Sequence, residues 1–487
     1  MIHEEMFRRI VGEFPHTMTP QQTDAAMSLA AFVALSRPRT AFVLRGYAGT
    51  GKTSLVGALV RALQKMQRDV VLLAPTGRAA KVFSHYAGTK AYTIHKVIYR
   101  QQTWGGEGTR FSLGYNKLRG TLFVVDEASM VADDAGAASI FGSGRLLDDL
   151  ITYVYEGEGC RLLFVGDTAQ LPPVGEDESP ALSADVLRGY GLHTAEADLT
   201  EVVRQSAASD VLAGATHLRN LLREGFTGLP RIVGDDRGEV RFLPGDELIE
   251  ALVTSYREYG TGDTIVVTRS NKRANIYNNG IRARIFDREE ELTRGDLVMA
   301  VKNNYYWTEK LAAAMSEGER PPFDFIANGD TAEVLRIRGV HEMYGFRFAD
   351  ALLRFPDYDG FEMECRVLLD TLTSESPSLT TDERRRLFEA VLADYADVPL
   401  KRERLKRVRE DAYYNALQIK YAYAVTCHKA QGGQWSRVFV DQGYVTADMA
   451  DVSYLRWLYT AFTRTTDRLY LVNWPPAQRA GGTDVVT

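Results

Sequence analysis

The stretch Gly46–Thr53, GYAGTGKT, constrains the fold of this chain more than any other. It follows a short apolar run, Thr40–Arg45 (TAFVLR), and precedes a helical pattern over Thr53–Met66. A G-x-x-x-x-G-K-T spacing between strand and helix is that of a loop whose backbone N–H groups close around phosphates, with the helix N-terminus adding a favourable dipole. Lys52 is placed to neutralise β- and γ-phosphate charge and Thr53 to ligate magnesium. Gly46, Gly49, Thr50, Gly51 and Ser54 complete the expected ATP-binding stretch. Such a loop needs its strand buried in a parallel sheet with helices on both faces.

The same pattern, an apolar run ending in a turn of small or polar residues, recurs along the chain. It is seen at Val70–Ala74, Thr121–Val125, Arg161–Val165, Thr264–Thr268, Arg437–Val440 and Arg468–Val472. These read as buried parallel strands with helices between them. They fall into one group before residue 170 and another after 260, and 487 residues exceed what one core organises, so two α/β domains are expected. Between Asp330 and Asp370 the texture changes to short alternating strands, a small β module, and Thr380–Gln418 reads as charged helix. Val97–Arg119 has aromatic segments flanking a glycine-rich turn, the pattern of a β-hairpin.

At Leu122–Glu127, LFVVDE, two carboxylates end an apolar strand. With the phosphate loop upstream, Asp126 is placed to hold magnesium and Glu127 to orient and deprotonate a water, so ATP hydrolysis is the expectation from spacing alone. Hydrophobic residues make up 45% of the chain and no apolar run approaches bilayer length, so a soluble protein without a membrane partner is expected. The N-terminus lacks the apolar segment of a signal peptide, which points to the cytoplasm. Cys160, Cys365 and Cys427 are far apart and read as free thiols. The net charge of -6 leaves room for local basic patches. One is Lys401–Arg409, KRERLKRVR, with six basic side chains against Glu403, either a solvated helix face or a nucleic-acid contact.

Six further stretches occur in a fixed order: LAPTGRAAK (Leu73–Lys81), VVDEASMV (Val124–Val131), VGDTAQLPPVG (Val165–Gly175), LTEVVRQ (Leu199–Gln205), VTCHKAQG (Val425–Gly432) and LYTAFTR (Leu458–Arg464). This series resembles that of superfamily 1 helicases, and its GDTAQLPPV and HKAQG forms resemble the 5′-to-3′ branch. The resemblance runs from Gln22 to Arg464. It implies an α/β fold of two RecA-like P-loop domains with parallel sheets, a β-hairpin inserted in the first, and an SH3-like β module with a helical arm inserted in the second. The implied boundaries are 1–190 for the first domain with 97–119 as hairpin, 191–329 and 416–476 for the second, 330–415 for the insertion and 477–487 for a C-terminal tail.

The resemblance also implies roles. Gln22 would read adenine, and Gly432 and Gln434 would face the nucleotide, although Gln434 stands where many relatives carry a ribose-binding Glu. Gln170 would sense the γ-phosphate, and Arg204 and Arg464 would reach it as arginine fingers. Pro75, Thr76, Thr93, His95, Thr426, His428 and Lys429 would contact DNA, the two histidines having a purely structural alternative. Trp104 and Phe111 would form a wedge at the hairpin tip, or else pack across its strands. The expected ligands are ATP, Mg2+, single-stranded DNA and single-strand/duplex junctions, with a protein partner possible at the 380–415 arm. An RNA helicase of the same superfamily and a nucleotide-switched strand-binding ATPase without unwinding are the alternatives. Neutralising the basic residues of 401–409 is expected to lower the salt dependence of DNA binding, each lost phosphate contact reducing the logarithmic slope by roughly 0.7 on single strands. Titrations from low to moderate salt check this, and an unchanged slope assigns the stretch to a solvated face.

Overall fold

The structure is a computed structural model that describes residues 2–35, 37–102, 110–134, 142–202, 209–235, 238–316, 319–323 and 325–480. Its first domain is built on a six-stranded sheet in the order Ala91–Thr93, Val70–Ala74, Leu122–Val125, Arg161–Gly166, Thr40–Gly46, His193–Leu199. Every pairing in it is parallel. The central strands are apolar throughout because both faces are covered: Phe42, Phe123 and Phe164 are fully buried, and separate hydrophobic clusters fill the two sides. The edge strand His193–Leu199 (HTAEADL) is exposed or half-buried up to the buried Leu199 and carries no apolar run, yet it pairs along Thr40–Gly46. The first domain therefore runs beyond 190, to at least Leu199.

A second parallel sheet has the order Val240–Leu243, Thr465–Val472, Trp435–Asp441, Thr264–Thr268, Ala424–Thr426. All the strands expected from apolar runs are present in these two sheets; the ones the sequence reading did not identify are short or at edges. The hairpin is present as Tyr99–Gln102 against Arg110–Leu113.

The inserted β module is a closed barrel of Leu297–Ala300, Thr331–Met343, Phe346–Phe355, Phe361–Leu368 and Leu417–Tyr421. Its first and last strands lie outside the expected span 330–415. Leu417–Tyr421 (LQIKY) is buried at every position although Gln418 and Lys420 interrupt its apolar residues, and it closes the barrel antiparallel to Leu297–Ala300. The helical arm is formed by Thr381–Asp394, which starts with a capping box of Thr380 and Glu383, and the basic helix Lys401–Arg409. Leu387, Val391 and Val408 seat it on Phe346, Phe348 and Leu368 of the barrel. Within the expected C-terminal tail, Arg479–Ala480 pairs with Ile232–Val233. No helix among the described residues is long and apolar enough to cross a membrane.

The barrel is fixed to the second domain by a buried carboxylate. Asp296, fully buried, accepts bonds from Arg282 Nε at 3.0 Å, Arg288 Nη1 at 2.7 Å and the Thr293 N–H at 2.7 Å. Arg282 lies on Asn271–Arg284 of the second domain, whereas Asp296 immediately precedes the barrel's first strand. Removing one partner of such a cluster leaves uncompensated buried charge, and Asp296→Ala is expected to cost about 3–5 kcal/mol. Urea unfolding followed by circular dichroism measures this loss.

Candidate nucleotide and nucleic-acid site

The phosphate loop joins the strand Thr40–Gly46 to the helix Lys52–Lys65. Lys52 Nζ folds back onto the carbonyls of Gly46, at 2.5 Å, and Tyr47, at 2.9 Å, acceptors that a phosphate would replace. Thr50 Oγ1 donates to the Tyr47 carbonyl at 2.8 Å, while Thr53 and Ser54 stand partly exposed in the first turn of the helix.

Asp126 and Glu127 follow directly on the strand Leu122–Val125, and Glu127 adopts a left-handed φ of 50°. Burial, reinforced by the neighbouring Glu127 carboxylate, pushes the Asp126 carboxyl up to about 7. The hard carboxylate oxygens of Asp126 in a desolvated site, with Lys52 near enough to oppose the shift, fit a magnesium ion. Gln170 is buried, and its Oε1 has no hydrogen-bond partner among the described residues. An acceptor left open in this way is suited to a water that arrives with substrate.

Other expected nucleotide contacts are engaged within the protein. Gln22 is 2% exposed; its Nε2 donates to the Thr50 carbonyl at 2.9 Å and its Oε1 accepts the Thr19 N–H at 3.0 Å. It thus ties the cap of the helix Pro20–Ala34 to the phosphate loop rather than presenting its amide to a base. The adjacent Gln21 anchors Thr200 and Glu201 through their N–H groups. Arg464 is buried, its Nε donating to the Thr460 carbonyl at 3.0 Å and its Nη1 to Gly433 at 3.2 Å. Arg204 lies outside the described residues.

The glycine turn of the second domain meets the helix Gly77–Ala87 of the first. At Gly432 a Cβ would stand 2.9 Å from Ala79 Cβ and 3.3 Å from Thr76 Oγ1, so only glycine permits this approach. Arg78 Nη2 donates to the Gln434 carbonyl at 3.0 Å, and the Arg78 guanidinium lies over the Trp435 ring at 4.0 Å. Gly432 and Gln434 therefore pack on the segment expected to hold DNA, not on the phosphate loop.

Of the expected DNA contacts, the structure gathers Thr76, His428 and Lys429 around one cavity of about 680 Å³, together with Arg78, Lys81 and Trp435. Burial pushes the Lys429 amine down to about 8, and the ammonium is bonded to Asn328. His428 is lowered by burial and by Lys429. Thr93 lines a neighbouring groove of about 280 Å³ with Lys90 and Lys96, whereas Thr426 lines a separate small cavity with Lys420. Thr76 and Thr93 also cap helices, accepting from the N–H groups of Ala79 and Lys96. Pro75 links the strand Val70–Ala74 to the cap, and His95 packs edge-on to Phe325, burial pushing its imidazole down to about 4.

Phe111 is 8% exposed, its ring 4.1 Å from that of Tyr305, so it is a packing residue and not an open wedge face. Trp104 lies outside the described residues. Cys427 is buried, its thiol pushed up to about 12 by burial, which suits packing. On the basic helix, Lys401, Lys406 and Arg407 are exposed, while Arg404 donates to the Val398 carbonyl at 2.9 Å.

The barrel closes on the same helix start. Tyr358 Oη donates to both Asp330 oxygens at 3.1 Å, and a Cβ on Gly77 would lie 2.5 Å from Tyr358 Oη and 2.9 Å from Asp330 Oδ1. Lys81 Nζ donates to the Pro356 carbonyl at 2.8 Å.

Residues 17–229 match the AAA domain family, and residues 421–472 match the UvrD-like helicase C-terminal domain. The chain is 23% identical over 420 residues to the ATP-dependent DNA helicase dda of Enterobacteria phage T4, covering 82% of this chain and 86% of that protein. It is 25% identical over 446 residues to the ATP-dependent RecD2 DNA helicase of Deinococcus radiodurans, covering 88% of this chain and 46% of that one. A Pif1 helicase from Bacteroides, solved in complex with ADP-AlF3 and ssDNA, is similar at a TM-score of 0.44 and 15% identity over 94% of this chain and 93% of that one.

Asp330 gives the barrel contact a pH dependence. Burial raises its carboxyl to about 7, so folding binds a proton; its contribution to stability is present at acidic pH and is lost as pH rises through about 7. The neutral isostere in Asp330→Asn is expected to raise the melting temperature relative to wild type more at pH 8 than at pH 5. Thermal melts at the two pH values check the sign.

Proposed function

We propose that this chain, a superfamily 1 helicase of the 5′-to-3′ branch, hydrolyses ATP between its two α/β domains, moves 5′ to 3′ on single-stranded DNA and separates duplex. The observation that carries this reading is a direct bonding of the hydrolysis machinery to the second domain. The turn that carries Gln170 is held there at Leu171, whose N–H donates to Thr460 Oγ1 at 2.9 Å and whose carbonyl accepts from Gln431 Nε2 at 2.7 Å. Gln431 is three residues from His428 and two from Lys429, which line the cavity between the domains. Chemistry at the phosphates and grip on a strand are thereby linked through one short segment.

In this reading Lys52 exchanges its loop carbonyls for β- and γ-phosphate oxygens. Thr53 and Asp126 would hold magnesium, which when bound neutralises charge on those oxygens. Glu127 takes the proton of the attacking water and the open Oε1 of Gln170 orients it. Arg464 leaves the carbonyls of Thr460 and Gly433 to reach the phosphate, with Arg204 as the second arginine finger, and such groups accelerate related hydrolyses roughly 10³- to 10⁵-fold. Thr76 holds the strand from the first domain and His428 and Lys429 from the second, so opening and closing the cleft moves one grip relative to the other. Pro75, Thr93, His95 and Thr426 extend this contact, and the arm at 380–415 offers a surface to a protein partner.

Duplexes carrying a single-stranded tail on one side test the reading. ATP is expected to drive strand separation from 5′ DNA tails and not from 3′ tails, and separation from 3′ tails alone would reverse the polarity. Equivalent RNA tails separate the DNA reading from the RNA one. In the same assay Lys52→Ala is expected to abolish both hydrolysis and unwinding, and wild-type turnover by that variant would remove the ATP site from GYAGTGKT.

A further inference from the structure

The helix Val452–Phe462 of the second domain places one hydroxyl at the phosphate loop of the first. Tyr459 is 1% exposed; its Oη accepts the Ala48 N–H at 3.0 Å and donates to Asp167 Oδ2 at 2.6 Å. These partners are 411 and 292 residues away in sequence. Asp167 is 1% exposed, and its Oδ1 accepts the Ala169 N–H at 3.0 Å. Its carbonyl accepts the N–H of Gln170 at 3.3 Å. An unbroken hydrogen-bonded path thus runs from the phosphate loop, through a side chain of the other domain, to the turn that carries Gln170.

A hydroxyl suits this junction because it accepts and donates at once. Ala48 offers only a donor and the Asp167 carboxylate only acceptors, and Tyr459 sits between them. Asp167 is buried and Ala48 half-buried, so without Tyr459 the carboxylate would lose a partner and the Ala48 N–H would have to turn to water. When the second domain is docked, the Ala48 amide is held and the Asp167–Leu171 turn takes a fixed orientation. When the domain withdraws, both lose their shared partner.

We propose that Tyr459 is a positioning residue for ATP hydrolysis: by bridging Ala48 and Asp167 it sets Gln170 in register with the phosphate loop only while the domains are docked. This rests on the ATPase reading above. The residue acts through Gln170 and the loop, so its removal alters turnover more than nucleotide binding.

Tyr459→Phe keeps the ring and deletes the hydroxyl. In steady-state hydrolysis with saturating single-stranded DNA, kcat is expected to fall tenfold or more while the KM for ATP stays within about twofold. Asp167→Asn, which keeps the shape but weakens the acceptor, is expected to give the same signature, and the losses in the double variant should not multiply, because one path is being broken twice. A kcat within twofold of wild type in Tyr459→Phe overturns the proposal, as does a change confined to KM or losses that multiply. If Tyr459→Phe does not fold, Asp167→Asn alone decides by the same split: lowered kcat with KM held supports the bridge, and unchanged kcat overturns it. A wild-type protein that does not hydrolyse ATP overturns the ATPase reading itself, whereas a hydrolysing wild type with unaffected variants overturns only the role of Tyr459.

Discussion

Leu171 is gripped at both of its backbone polar groups by the other domain: its N–H by Thr460 and its carbonyl by Gln431. It is itself buried, so neither group finds water while the domains are together. The second domain therefore cannot shift slightly and keep these bonds. It is either docked, with both satisfied, or far enough away for water to replace them. Packed interfaces are bistable in this sense rather than continuously deformable, and that property lets a small chemical change drive a discrete step. The neighbouring Gln170 shares the turn, so the position proposed to read the phosphate and the position that meets the other domain are adjacent residues.

The barrel extends the same logic. Its junction with the second domain runs through the buried Asp296 cluster with Arg282 and Arg288. Its contact with the first domain is of another kind: Tyr358 and Asp330 close against the bare Cα of Gly77, and Lys81 reaches the Pro356 carbonyl. A body held to the second domain by a buried charge cluster and to the first only by surface contacts moves with the second. The cavity holding Thr76, His428 and Lys429 is lined from all three bodies, so its shape is set by the docking that Leu171 reports.

The sequence was most informative where physics acts over short range. Strands buried on both faces must be apolar at every residue, and every run of that kind proved to be a sheet strand. His193–Leu199 escaped because an edge strand needs only one covered side, and the barrel's closing strand Leu417–Tyr421 escaped because Gln418 and Lys420 break its apolar run although every position is buried. Lys52, Asp126 and Glu127 were legible from spacing on adjacent residues. Gln22 was not, since its partner Thr50 is 28 residues away and the Thr19 cap uses its other end. Tyr459 and Thr460 lay within a recognised stretch, but nothing local distinguishes a tyrosine that packs from one that bridges to Ala48 and Asp167. Phe111 shows the converse, an aromatic placed correctly in a hairpin whose partner, Tyr305, lies in another part of the chain.

The displaced ionisations give the two ends of the cleft opposite signs. At the phosphate loop, burial and a neighbouring carboxylate raise Asp126 to about 7, so the ionised pair there is incomplete without a positive partner. At the cavity, burial lowers Lys429 to about 8 and lowers His428, so charge there is incomplete without a negative one. The divalent cation and the phosphodiester of the proposed reaction would answer these demands, each restoring the charged form it meets. Desolvation, which on its own weakens both ends, thereby becomes the source of selectivity: a ligand bearing no charge recovers nothing at either.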